Sequence, residues 1–152
     1  MMRSTSIITR LGALVALAAL VVFPALAENS TEVGGYVIHH NAFTADTLNP
    51  DVAKSYGIQR SKYRGLLNVS VIKEEQGTTG TSTAARVEVN TVNLTGQKSR
   101  IPMRELKDQG AIYYFGEFPV QDQQTVSFVI DVTPEGSTET YSTKLSQQFF
   151  TE

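Results

Sequence analysis

The 152-residue chain contains no cysteine and no tryptophan, and only two histidines. Without thiols there is no disulfide framework, no thiolate nucleophile, no zinc–thiolate centre and no cysteine-held iron–sulfur cluster. There is likewise no sulfur to carry a lipoprotein anchor. Charge is sparse and slightly acidic, with 13 Lys and Arg against 15 Asp and Glu, which argues against general nucleic-acid binding. No Gly-x-Ser-x-Gly elbow, phosphate-cradling loop or metal-site spacing occurs. The one continuous apolar run, residues 11–23, falls short of the roughly 20 residues that span a bilayer.

That run has a different meaning. Arg3 and Arg10 mark a positive n-region, Pro24 breaks the apolar stretch, and Ala25-Leu26-Ala27 puts small residues where signal peptidase reads. The expectation is an export signal over 1–27 with cleavage after Ala27, a periplasmic address and a soluble mature chain. Removing the signal takes away two cations and no acids, so the mature formal charge is −4. Residues 28–152 make one domain of ordinary size, long enough to bury a core without staples.

Within that domain, polarity alternates at the period of strands. Val126, Phe128, Ile130 and Val132 alternate with Ser127, Val129 and Asp131, the clearest half-buried strand. Leu67, Val69 and Val71 form the more apolar side of 66–73, and 111–118 is the most aromatic strand, with Gly116 implying close backbone packing. The polar stretch 77–83 reads as a flexible connection. Val92 and Leu94 change phase relative to Val87 and Val89, which suggests a bulge or a corner between sheets near Asn90 and Thr91. Pro102 marks an edge strand. One helix is punctuated in full: Asn49 to cap, Pro50 at the first position, Asp51 at the positive end of the dipole and Gly57 to stop it. The expected fold is all-β: an antiparallel, immunoglobulin-like sandwich of about seven strands with one short helix after the first, a barrel being the alternative.

Two clusters are candidate binding residues. The first is His39, His40 and Asn41, at the end of a strand that begins after Gly34-Gly35. Adjacent strand residues face opposite ways, so the two imidazoles do not chelate one ion together, and structural hydrogen-bonding histidines are the favoured reading. The second is Arg60, Lys62 and Arg64, whose spacing of two would set three cations on one side of an extended segment. Such a comb suits a carboxylate, a phosphate or an anionic headgroup; a solvated loop leading into the strand is the plainer alternative. Tyr113, Tyr114, Phe115 and Phe118 read as core before they read as an exposed surface.

Several segments together resemble one family. They are 36–43 (Tyr-Val-Ile-His-His-Asn-Ala-Phe), 56–68, 113–118 (Tyr-Tyr-Phe-Gly-Glu-Phe) and the ending 148–152 (Gln-Phe-Phe-Thr-Glu). The chain resembles the small exported proteobacterial proteins catalogued as domain of unknown function 4426. The resemblance implies a single periplasmic domain and carries over no activity and no catalytic residues. The functional expectation is a non-enzymatic module that binds a protein, a peptide or an envelope component through loops and exposed edges, the Pro102 strand among them. No cofactor and no metal are implied. Alternatives are a hydrolase or metal-dependent enzyme using His39 or His40, and a small-ligand carrier with an apolar interior.

Overall fold

Val126, Phe128, Ile130 and Val132 are buried while their alternating neighbours are half-exposed, and two sheets close over that stripe in the computed structural model. The structure describes residues 29–152; the export signal read at 1–27 lies outside the described residues. Ten strands form: β1 (Ser30–Val33), β2 (Tyr36–Thr44), β3 (Arg64–Lys73), β4 (Thr81–Ser82), β5 (Ala85–Val92), β6 (Lys98–Ile101), β7 (Arg104–Asp108), β8 (Ala111–Pro119), β9 (Thr125–Pro134) and β10 (Tyr141–Gln148). One sheet runs β1-β2-β3-β8-β7, with β4 also paired to β3; the other runs β10-β9-β5-β6. Every pairing is antiparallel.

The layers meet through side chains that alternation turns inward: Ile38 from β2, Leu67, Val69 and Val71 from β3, Val89 from β5, Phe118 from β8 and the β9 stripe. Phe118 meets Phe128 and Phe149 edge-on, with ring centroids 5.1 and 5.5 Å apart. Each such contact contributes about 0.5–1.5 kcal/mol beyond its area. Tyr114 and Phe115 are buried as well, so the aromatic strand is core.

Four sequence expectations change. The strand count rises from about seven to ten. The first strand, β1, is a short segment that Gly34 and Gly35 join to β2 in a two-residue turn with both φ positive, at +59° and +79°. The helix, α1 (Pro50–Ser55), therefore follows the second strand, after a 3-10 turn at Ala45–Thr47. Asn49 Oδ1 accepts from the Asp51 amide at 2.8 Å, and Gly57 follows at φ +64°.

The corner between sheets lies elsewhere than Asn90 and Thr91. β5 keeps unbroken register with β9 from Ala85 to Val92, and Leu94 changes phase because it sits in the turn beyond, fully exposed. The chain changes sheets at Pro102-Met103, between β6 on one edge and β7 on the other. Pro102 lacks a donor, so it suits a crossing that no ladder needs. Gly116 explains how the crossing fits: a Cβ there would lie 2.5 Å from Ile101 Cγ2 and 2.6 Å from Met103 Sδ. Finally, 77–83 is not wholly unpacked. Thr81 and Ser82 pair with β3, and Ser82 Oγ accepts from the Ile112 amide at 2.9 Å.

Candidate functional site

The outer face of the six-stranded sheet is where the sequence-derived candidates meet a cavity. β2 turns His39, Asn41 and Phe43 outward, and β3 turns Leu66, Asn68 and Ser70 to the same side, since paired residues share a face. β8 adds Tyr113, Phe115 and Glu117, and β7 adds Arg104 and Leu106. A short helix covers part of this face. Ala53 of α1 packs with Ala45, Ile58, Leu66 and Phe115 in a second apolar cluster, with Phe43, Leu48, Tyr56 and Leu106 half-buried around it. Capping at Asn49 sets where the helix begins, and the small Ala53 lets it approach the sheet.

Six residues do not fill the face, and a groove remains between the helix and β7–β8. Phe43, Val52, Tyr56, Leu106, Tyr113 and Asn68 are among its lining residues, and its volume is about 370 Å³. Asn68 also lines an adjoining polar hollow of about 290 Å³ with Asn29, Ser30, His39, His40 and Asn41. The two form an amphipathic strip. One half offers aliphatic and aromatic surface; the other offers carboxamides, which donate and accept at once. Across the hollow, Asn29 Nδ2 donates to Asn41 Oδ1 at 3.4 Å.

His39 and His40 part company. His39 and Asn41 are exposed on the outer face, whereas the His40 side chain is 6% exposed and points between the sheets. Its Nε2 lies 3.5 Å from Thr31 Oγ1, which is 2.7 Å from Thr143 Oγ1 on the opposing sheet. Its Nδ1 is buried without a hydrogen-bond partner among the described residues. Burial, with the neighbouring His39 second, holds the His40 pKa below its ordinary 6.5. Among the described residues, neither ring is hydrogen-bonded to a carboxylate, and no three His, Asp or Glu side chains gather at metal-ligand distance. The hollow presents carboxamides and one exposed imidazole, that of His39.

The family model for a domain of unknown function, DUF4426, matches residues 30–152. The chain belongs to the DUF4426 family. A crystal structure of a DUF4426 family protein from Pseudomonas aeruginosa PAO1 is similar to it, with a TM-score of 0.67 and 28% identity over 81% of this chain and 94% of that one. No curated protein matches.

In this DUF4426 chain the cations at 60–64 do not form a comb. The comb required an extended backbone, but the Ser61 hydroxyl accepts from the Tyr63 amide at 3.1 Å and the chain turns. Arg60 donates to the Asp46 carbonyl at 2.6 Å. Arg64 pairs with Glu117 at 3.4 Å, and Arg104 reaches the same carboxylate at 3.5 Å while stacking on Phe115. Lys62 is exposed and lies over the Tyr63 ring at 5.3 Å. Sequence reasoning missed the groove itself. Leu66, Asn68, Ser70 and Ile72 read as the weaker side of β3, and that mixed side is the signal: Leu66 lies under the helix and Asn68 at the boundary of the strip.

Proposed function

We propose that this protein is a non-enzymatic binding module of the bacterial cell envelope that holds an amphipathic segment of a partner protein or peptide on the outer face of its six-stranded sheet. The signal-like pattern at 1–27 supports the address. What carries the binding reading is that Asn68 lines both the apolar groove and the hollow with its carboxamides, so the two meet at one residue. A groove of this size accepts one or two bulky apolar side chains. Asn41 and Asn68 beside it suit the N–H and C=O groups of the flanking peptide. The space between the sheets is filled by Phe118, Phe128, Phe149 and their neighbours, which favours this reading over a carrier with an internal cavity.

The test is selection of displayed random peptides on the exported chain, with Val52→Asp and Leu106→Asp variants in parallel. Val52 is 40% exposed, so its replacement tests the groove without opening the core. Recovered peptides should share a bulky apolar anchor and lose about tenfold or more in affinity, about 1.4 kcal/mol, for either variant. Peptides that bind both variants as tightly as the original chain would place recognition elsewhere.

A further inference from the structure

The two sides of the sandwich end differently. On one side lie β6 and β7, short strands joined through Pro102, with Lys98, Arg100, Arg104, Glu105, Lys107 and Asp108 among nine residues. Such edges are protected against pairing with another strand. On the other side lies β10, eight residues without proline, glycine or bulge, carrying one charge, Lys144. Lys144 points to the exposed outer face and does not guard the edge from within the sandwich.

The direction of the backbone groups on β10 follows from one bond. The Phe149 amide donates to the Gln124 carbonyl at 2.8 Å, in line with the β9–β10 register. Hydrogen-bonded pairs alternate along an antiparallel ladder, so Tyr141, Thr143, Leu145 and Gln147 bond to β9. Ser142, Lys144, Ser146 and Gln148 then turn their N–H and C=O groups away from it. Among the described residues, only the Gln148 carbonyl of these has a side-chain donor, Gln147 Nε2 at 2.8 Å.

We propose that a second copy of this chain occupies that edge, with β10 pairing antiparallel to β10 across a twofold axis centred on Leu145. This register opposes Lys144 to Ser146 and Ser142 to Gln148, and uses all four outward residues in about eight hydrogen bonds. No like charges meet; a register centred on Lys144 would set two ammonium groups face to face. Opposed residues share a face, so the four-stranded sheets join into one continuous sheet. β1 lies directly beneath, its Thr31 in contact with Thr143. The polar hollows, built on β1 and β2, would then sit side by side across the axis, although the pairing itself does not depend on what binds there.

The test is sedimentation of the exported chain from micromolar to submillimolar concentration, with two variants. Ser146→Pro removes an outward N–H and no backbone bond to β9, losing only the exposed Ser127–Ser146 hydroxyl contact at 3.4 Å, so it should leave a folded monomer. Leu145→Cys is the sole thiol of its chain and faces its own copy at a non-hydrogen-bonded position, so mild oxidation should give a covalent dimer. A control, Ser127→Cys, lies one strand inside and should give no covalent dimer on oxidation. A wild-type chain that is monomeric throughout, or a dimer that survives Ser146→Pro, would overturn the proposal. If Ser146→Pro does not fold, absence of the Leu145→Cys cross-link overturns it.

Discussion

Protonating His40 should destabilise the sandwich, and the cost follows from where the ring sits. On the inner face of β2, its nearest polar neighbours are the neutral hydroxyls of Thr31 on β1 and Thr143 on β10, and the adjacent titratable group is His39. Among the described residues no carboxylate is hydrogen-bonded to the ring, and no other side chain reaches Nδ1. The folded state therefore holds His40 neutral, with its pKa below 6.5, while the unfolded chain protonates at the ordinary value. Well above pH 6.5 neither state takes the proton and stability is full. As pH falls below 6.5 the unfolded state binds a proton that the folded state refuses, so stability drops with pH until the folded pKa is passed. The loss between about pH 7.5 and 5.5 is at most about 1.4 kcal/mol, one proton's worth. Urea unfolding at those two pH values measures it, above the range where carboxylates titrate. In His40→Gln the loss should largely disappear, and the Thr31–Thr143 contact needs no imidazole to persist. In His39→Gln, on the exposed face, it should remain. A His40→Gln variant whose stability falls with pH as much as the parent's would refute the reasoning.

Gly116→Val should destabilise the domain by about 1–3 kcal/mol in urea unfolding, because its side chain would press on Ile101, Met103 and the Pro102 carbonyl where the chain crosses between sheets. Asn49→Ala should cost about 1 kcal/mol by removing the cap on the Asp51 amide, with the loosened α1 seen as faster amide exchange at Ala53. Replacing Arg60, Lys62 and Arg64 together by alanine should change stability by about 1 kcal/mol or less, since the Arg64–Glu117 pair is 40% and 24% exposed and Arg104 still holds the carboxylate. A much larger loss in a thermal melt would mean that these cations are structural.

Strand alternation was readable wherever one face meets the core and the other meets water. Val126 to Val132 and Leu67 to Val71 report their burial directly, and the helix was readable because Asn49, Pro50 and Gly57 act through local backbone geometry. The phase change at Leu94 misled because a turn and a bulge alter polarity in the same way; only the unbroken pairing of Val92 with Ser127 separates them. The cation spacing misled for a related reason. A period of two carries meaning only in an extended chain, and the Ser61 side chain turns that chain by bonding the Tyr63 amide. Asn68 was not singled out because its role depends on two neighbours brought from elsewhere: α1 on one side and Asn29 on the other.

The edges show how the same rule leads to opposite places when topology is added. Proline and alternating charge around Pro102 mark an edge, and from the sequence that edge looked available. With the topology known, those features are what keep β6 and β7 from accepting a strand: they are short, interrupted and crowded with ions of both signs. β10 carried no such mark, and its Tyr-Ser-Thr-Lys-Leu-Ser-Gln-Gln alternation suits a central strand as well as an edge. Its position at the border of the four-stranded sheet turns that lack of protection into a property. The buried contact beneath it, Thr31 to Thr143 with His40 alongside, ties this edge to the opposing sheet. Pairing at β10 and the burial of His40 therefore share one border of the molecule, but the folded ring stays neutral while the unfolded chain takes the proton, so a dimer formed through β10 should sediment alike at pH 7.5 and 5.5 as long as the chain stays folded.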